Sequence, residues 1–303
     1  MVLKQYDRQL NFEGSIYSGK WGSVCSGKVG SVWSGKWGSV SAEFPVCDHN
    51  NGGSIIRLAD DGTTIWSKTF VEALPTNSCA IQEIQGGIIY AGRSTDSPSV
   101  HGGTDVMVFK LDMSGNIVWS KVYGTSRDEE PLNTLVVDAD KILIVGMHDD
   151  ANPGLNYDNL FLMLDTNGNV LQVETYGTAN EDFSYDVTSN SQGEFVMAAK
   201  SYVVGSNDEG MTLKLDSNLN LVWSRIYSGI YGDILFDIEN YEDGYVLTGI
   251  NQSSNGVGFF QYDGWISRIT QNGIDGCLSS PISLVHNTPI FSVADFTLSL
   301  GTI

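Results

Sequence analysis

An all-β fold built from a repeated four-stranded unit is predicted by three observations on this 303-residue chain. The first is a hairpin signature. Across residues 105–124 two short, β-prone apolar runs flank a Ser-Gly-Asn turn, and the pattern returns at 160–177 and 211–227. An earlier copy lies at 54–70 and a degenerate one at 264–278. The second observation is the period: Trp66 to Trp119 and Asp112 to Asp165 are each 53 residues, and Asp165 to Asp216 is 51. The third is that no stretch of useful length has helical periodicity. A period slightly above 50 with four strands per unit fits the blade of a β-propeller rather than a solenoid rung. Counting the incomplete first copy and the C-terminal segment, five or six blades are expected.

In chain order, residues 1–45 form an arm with its own eight-residue repeat. Gly14-Ser-Ile-Tyr-Ser-Gly-Lys-Trp21 is followed by copies starting at Gly22, Gly30 and Gly38. Each octad offers a short β-prone pair and a Ser-Gly turn. The arm reads either as a low-complexity, partly ordered segment or as small strands that complete a blade or join a neighbouring subunit's sheet edge. In the second case Trp21, Trp33, Trp37, Lys20, Lys28 and Lys36 carry the assembly contacts. The long repeats span 46–278, with strands a to d expected at 132–137, 142–146, 159–164 and 170–176 in one unit. The next unit has 185–188, 195–199, 211–215 and 221–227, and the last has 236–239, 245–249, 265–269 and a broken fourth strand. Residues 279–303 offer two alternating strands that would close the ring or form a tail.

The composition excludes some functions. With 36 acidic against 16 basic side chains, the net charge is −20, and no basic stripe exists to displace counterions from nucleic acid. Residues 1–50 carry five basic and four acidic groups, so the arm is nearly neutral beside a strongly acidic body that favours cationic partners. No run of about 18 apolar residues is present to cross a bilayer. The four cysteines (Cys25, Cys47, Cys79, Cys277) have no metal-type spacing and leave both free and disulfide states open. The first residues lack the regions of a secretory signal, so they are not expected to direct export by that route.

The run Leu-Asp-x-x-Gly-Asn-x-x-Trp-Ser-Lys-x-Tyr-Gly, carried by Leu111 to Gly124 and in weaker form by Leu215 to Tyr227, is followed by an acidic loop and by Gly-Tyr-x-x-x-Gly at Gly244 to Gly249. Over about residues 50–278 it resembles the β-propeller repeat of secreted and cell-surface bacterial proteins. The resemblance implies the fold and an extracellular or cell-surface setting, and it brings no catalytic signature. The octad arm departs from that pattern.

Two columns of carboxylates are the candidate site. Seven residues before each turn position stand Asp105, Asp158, Glu209 and Asp263. A second set precedes strand a: Asp128 with Glu129 and Glu130, Glu181 with Asp182, and Asp233. Strands a and c run in the same direction within an antiparallel unit, so both sets ring one rim. That rim also receives the long connections 93–104, 148–157, 201–208 and 251–262, and long loops on a rigid scaffold are where binding usually resides. Each carboxylate reads either as a strand cap accepting backbone N–H bonds or as a ligand for a cation or cationic group. The turn starting at Asp165 superficially resembles a calcium loop, but its Gly falls one place early and no Glu stands at the twelfth position. It reads better as a hairpin turn braced by Asp, with Gly or Asn at positive φ. Trp66, Trp119 and Trp223 are expected to pack between blades, with carbohydrate stacking the alternative. His101 and His148 are expected as surface residues in equivalent long loops.

These readings point to a non-enzymatic extracellular or cell-surface module for protein binding or self-association, acting through the acidic rim and the arm. A glycan is the alternative ligand. No cofactor is expected, and calcium is the candidate ion for the rim. The competing reading is a polysaccharide hydrolase or lyase with Asp105 and Asp158 as acid and base, which requires a separation of roughly 5–10 Å.

Overall fold

The computed structural model describes residues 29–35, 38–43, 54–59, 63–70, 79–94, 102–150, 156–202, 208–228, 232–254, 260–275, 279–295 and 300–301. The first sheet holds β1 (Val29–Gly35), β2 (Gly38–Glu43), β3 (Ser54–Leu58) and β4 (Thr64–Phe70). The second holds β5 (Cys79–Ile84), β6 (Gly87–Ser94), β7 (Asp105–Leu111) and β8 (Ile117–Gly124). The third consists of β9 (Glu129–Val136), β10 (Lys141–Asp149), β11 (Tyr157–Asp165) and β12 (Val170–Gly177). The fourth consists of β13 (Asp182–Ser189), β14 (Phe195–Tyr202), β15 (Asp208–Leu215) and β16 (Leu221–Tyr227). The fifth has β17 (Asp233–Tyr241), β18 (Gly244–Ser254) and β19 (Phe260–Thr270). Every pairing is antiparallel, and no helix occurs among the described residues. The expected strands of the last three units fall inside the observed ones except at residue 137, one past the end of β9, and the observed first, second and third strands run longer.

The octad stretch contributes β1 and β2, and β2 pairs with β3 across the boundary expected at residues 45–46. Trp33 lies in β1 opposite Val40. Lys20, Trp21, Lys28, Lys36 and Trp37 lie outside the described residues.

The core is layered between successive sheets. In β11, Leu160, Leu162 and Leu164 pack with Val106, Val108 and Ile142 toward the second sheet, while Phe161 and Met163 pack with Met197, Leu213 and Leu215 toward the fourth. Both faces of the strand are therefore buried, which is why Leu160 to Leu164 is apolar without alternation. A register shift interrupts the pairing of the first two strands in the third, fourth and fifth sheets, at Gly146, Asp186 and Asp237. Such bulges add local twist.

The tail differs from the two expected strands. It forms β20 (Ser279–Pro281), β21 (Val285–Asn287), β22 (Ser292–Asp295) and β23 (Leu300–Gly301), which pair in turn with β16, β12, β8 and β4. The chain thus runs back along the outer edges, covering one sheet at a time. Ile282, Leu284 and Phe291 pack into the inter-sheet cores. Glu174 accepts from Thr288 Oγ1 and meets His286 Nε2, both at 2.7 Å, and the His286 ring stacks on Tyr176. Covering four otherwise open edges removes sites for unwanted strand pairing.

The signature Trp-Ser-Lys-x-Tyr-Gly turns out to be a latch between sheets. Trp66 Nε1 donates to the Met113 carbonyl, Trp119 to Thr166 and Trp223 to Gln271, each at 3.1 Å. Tyr123 donates to the Gly168 carbonyl at 2.7 Å, and Tyr176 and Tyr227 donate to Leu219 and Gly273 at 2.8 Å. Lys121 and Arg225 reach the carbonyls between them. Each fourth strand thereby grips the hairpin turn of the following sheet. Burial holds the Tyr123 and Tyr227 hydroxyls protonated by raising them well above the usual range. Replacing Tyr227 with Phe would leave the Gly273 carbonyl without this donor and is expected to cost about 1–3 kcal/mol. Urea unfolding of Tyr227→Phe against the parent measures it; an unchanged midpoint would mean the latch contributes nothing.

Three of the four gripped turns are braced by Asp, and the fourth, in the fifth sheet, by Thr270, whose Oγ1 accepts from Ile274 N at 3.2 Å. In each of three copies Asp112, Asp165 or Asp216 accepts backbone N–H groups two and four residues on, at 2.8–2.9 Å. These bonds hold the three carboxyls below the usual range; for Asp112 the Asn116 bonds act most, and for Asp216 the Asn220 side chain. Gly115, Gly168 and Gly273 sit at φ of +79°, +75° and +72° under the Trp rings, whose nearest atoms would lie 2.7–3.0 Å from an added Cβ. In the remaining turn the expectation of Gly or Asn fails, because Leu219 takes φ of +58°. Gln172, which stands where the other fourth strands carry Trp, leaves the space that Leu219 fills with its buried side chain.

Candidate functional site

The two carboxylate columns meet in rows at one end of the sheets. In the third sheet Glu129, His148 and Asp158 are successive cross-strand neighbours; in the fourth, Asp182, Ser201 and Glu209; in the fifth, Asp233, Asn251 and Asp263. In the second sheet Ser94 lies opposite Asp105. Directly opposed side chains share a face, so the rows of the third, fourth and fifth sheets each place two carboxylates on either side of one residue from the second strand.

These groups do not form an exposed ring. Asp105, Asp158, Glu209, Asp182 and Asp233 are 0%, 1%, 6%, 0% and 5% exposed. Asp128 is half-buried and Asp263 is exposed. At the second-to-third sheet junction the buried member is Glu129 rather than Asp128.

Two of the buried acids, Glu129 and Asp182, hold strand connections, and a third, Asp233, is bonded across its own sheet. Glu129 accepts from Thr125 N at 3.2 Å and Thr125 Oγ1 at 2.6 Å, and it meets His148 Nδ1 at 2.9 Å. Asp182 accepts from Thr178 N and Oγ1 at 2.5 and 2.9 Å. Asp233 accepts from Asn251 Nδ2 at 2.5 Å. In each of the first two, a Thr just after the fourth strand is tied to the acid that opens the next sheet. The fourth strands of the second and third sheets end in glycine because acids press on them: a Cβ on Gly124 would collide with Asp105 and lie 2.8 Å from Glu129 Oε2, and one on Gly177 would collide with Asp158.

Asp158 differs from Glu129 and Asp182. Among the described residues neither of its buried oxygens has a partner in good hydrogen-bond geometry. Burial, reinforced by Asp150 and Asp182, pushes its carboxyl up to about 7, and the nearby Asn287 amide offsets part of the shift. Burial likewise raises Asp182 to about 6, against the nearby Ser201 hydroxyl and its bonds to Thr178.

Two features escape a reading of the sequence alone. His148 is buried, bonded to Glu129 and 6.3 Å from the Phe291 ring, because β10 extends past the predicted strand end. His101 lies outside the described residues. The second feature joins the first strands of three sheets: Asn133 Nδ2 donates to Asp186 Oδ1 at 2.5 Å, and Ile238 N donates to Asp186 Oδ2 at 2.9 Å. Burial and the neighbouring Asp237 carboxyl raise Asp186 well above the usual range. Burial, then Asp237, raises Glu239 to about 7. The 53- and 51-residue spacings of Asn133, Asp186 and Asp237 were the available signal.

Among the described residues no group of three or more His, Cys, Asp or Glu side chains is arranged to hold a metal ion. Asp128 and Asp263 are the acids of the predicted set that solvent reaches most readily, and Arg93–Glu130 and Arg127–Asp149 pairs, at 3.1 and 3.7 Å, flank the same end.

The arrangement defines an all-β repeat protein whose recurrent polar side chains mostly face inward. No known protein family matches the chain, and no curated protein is detectably similar to it.

Proposed function

We propose that the five sheets are the blades of a five-bladed β-propeller that acts as a non-enzymatic binding or self-association module in an extracellular or cell-surface setting. The face-to-face stacking of blades is supported by one column in the third strands. Val108, Phe161 and Thr212 are fully buried, and Val108 and Phe161 pack toward the following sheet, whereas the equivalent Ile266 in the last sheet is 72% exposed. In a ring the first sheet covers it.

The observation that carries the functional reading is where the repeated polar residues go. Trp, Lys or Arg, and Tyr latch neighbouring sheets, and the acids hold strand connections, so the repeat builds a rigid scaffold. Binding then falls to what the scaffold displays: the non-repeated long connections at the acidic end, with Asp128 and Asp263 beside them. A net charge of −20 favours a cationic protein surface, with a glycan the alternative and calcium the candidate ion.

The hydrolase or lyase reading has one observation in its favour, the raised carboxyls of Asp158 and Asp182. Their burial weighs against it, since a saccharide must touch its acid and base. The two readings separate in one set of assays on the full chain. Binding of cationic peptides, glycans and calcium is measured by calorimetry, with reducing-end release followed on the same glycans. Saturable binding that falls at least several-fold in Asp128→Asn/Asp263→Asn, with no release, supports the module. Release that disappears in Asp158→Asn would replace it with the enzyme.

A further inference from the structure

The turn between β13 and β14 brings a carboxamide, a carboxylate and an amine into contact. Asn190 N bonds the Glu194 carbonyl at 2.9 Å and Gly193 N bonds the Asn190 carbonyl at 3.0 Å, which closes the hairpin. The Asn190 side chain then does what Asp112, Asp165 and Asp216 do in their turns: its Oδ1 accepts from the backbone N–H groups of Gln192 and Glu194, two and four residues on, both at 3.0 Å. With Oδ1 fixed by two donors, the amide orientation is settled and Nδ2 faces the other way. Nδ2 donates to Glu194 Oε2 at 2.7 Å, with the Tyr245 hydroxyl at 3.5 Å.

The same carboxylate oxygen receives Lys214 of β15, whose Nζ lies 2.6 Å from Glu194 Oε2. Lys214 pairs with Val196 on one side and Trp223 on the other. Val196, Trp223 and Tyr245 belong to the core between the fourth and fifth sheets, and the Lys214 side chain is only 8% exposed. One oxygen therefore holds the nitrogens of Lys214 and Asn190 together against an apolar wall. Charge pairing alone takes another form in the fifth sheet, where Arg268, at the matching position of the third strand, reaches the exposed carboxylates of Glu242 and Asp243. In the fourth sheet the turn is braced by a carboxamide instead, and an amine stands beside it.

These groups are the parts of an acyl transfer within one chain: an electrophilic carbon at Asn190 Cγ, a nucleophile at Lys214 Nζ, a proton carrier in Glu194, and two N–H groups on the carbonyl oxygen that becomes negative. We propose that Lys214 and Asn190 join in an isopeptide bond that staples the third strand of the fourth sheet to the turn between its first two strands. Lys214 first passes a proton to Glu194 Oε2. The neutral Nζ then adds to Asn190 Cγ, and the carbonyl electron pair moves onto Oδ1, where the Gln192 and Glu194 N–H groups stabilise it. Glu194 gives its proton to Nδ2, the Cγ–Nδ2 bond breaks as the carbonyl re-forms, and ammonia leaves. Glu194 takes the remaining extra proton from Nζ and hands it to the ammonia, which departs as ammonium and leaves Glu194 ionised as it began. The Lys214 bond, followed by that of Asn190, holds the Glu194 carboxyl below its usual range. The resting pair is therefore charged, the first proton transfer runs uphill, and the reaction is a single slow turnover after folding. The site lies at the opposite end of the sheets from the acidic rows, so it stands or falls separately from the ligand-binding reading.

Mass spectrometry of the full chain, incubated folded in mildly alkaline buffer, tests it. The intact mass should fall below that of the sequence by one ammonia. Tryptic mapping should find no cleavage after Lys214 and one branched peptide joining the segments that carry Lys214 and Asn190. Lys214→Arg keeps the ion pair and Glu194→Gln keeps the side-chain size, and both should retain the full mass. A parent chain that keeps its full mass after prolonged incubation overturns the proposal, whether or not the variants fold. Ammonia loss that persists in Lys214→Arg also overturns it, since the loss then arises without the amine, as in a succinimide.

Discussion

The double replacement Gln172→Trp/Leu219→Gly is expected to fold with nearly the parent stability, although each single replacement is damaging. Leu219 occupies a left-handed backbone position that costs roughly 1–2 kcal/mol in a non-glycine residue. Its side chain is 1% exposed within the core between the third and fourth sheets. Leu219→Gly relieves the strain but deletes a buried side chain worth about 2–5 kcal/mol, so the single change is a net loss. Gln172→Trp alone drives an indole into the volume Leu219 fills, with an overpacking cost of about 1–3 kcal/mol. Together they rebuild the arrangement at Trp119 and Gly168, with the indole N–H on the turn carbonyl. A denaturant-based double-mutant cycle should return a favourable coupling of about 2 kcal/mol or more. Additive losses would mean that Trp over Gly and Gln beside Leu are not alternative solutions to one packing problem.

The second large effect is a stability that falls as pH rises from about 5 to about 7. Asp158, Asp182 and Glu239 are raised to about 7, 6 and 7. Their folded-state values exceed the unfolded ones, so the native chain keeps protons that the unfolded chain has lost. Stability is then full below the unfolded value near 4 and is lost as pH climbs through the folded values. Asp112, Asp165, Asp216, Glu174 and Glu194 are lowered and act oppositely, losing their contribution only in stronger acid. Thermal unfolding should therefore show a maximum near pH 5. Asp158→Asn should stabilise the protein at pH 8 by something of the order of 2–4 kcal/mol, with little effect near pH 4. A flat profile for the parent between pH 5 and 8, or no gain in Asp158→Asn at pH 8, would show that Asp158 is not held protonated.

Most of the fold was legible because it is written in local, repeated signals. The Asp-x-x-Gly-Asn turns, the apolar runs beside them and the period above 50 locate β7 to β16 within a few residues. The candidate site was half legible. Spacing alone aligned Asp105 with Asp158 and Glu209, and direction along antiparallel strands put both acidic columns at one end. Exposure was not legible, because a carboxylate before a strand reads the same whether it faces water or a neighbouring Thr N–H. His148 was misplaced for a related reason: β10 runs to Asp149 only because β9 and β11 both pair with it there.

By itself, then, the sequence determined that this chain is all-β, that its units are hairpins of one design, and where the acids stand along each. These depend on turn chemistry and strand periodicity within a few residues of each other. The tertiary structure alone decided that the Trp and Tyr columns latch one sheet to the turn of the next, that the acids are buried, that Asp186 joins three sheets, and that the tail covers four edges in reverse order. Those outcomes depend on contacts between residues about 45 to 230 positions apart. Nothing in a strand's own sequence specifies which edge or carbonyl will meet it once neighbouring sheets pack face to face.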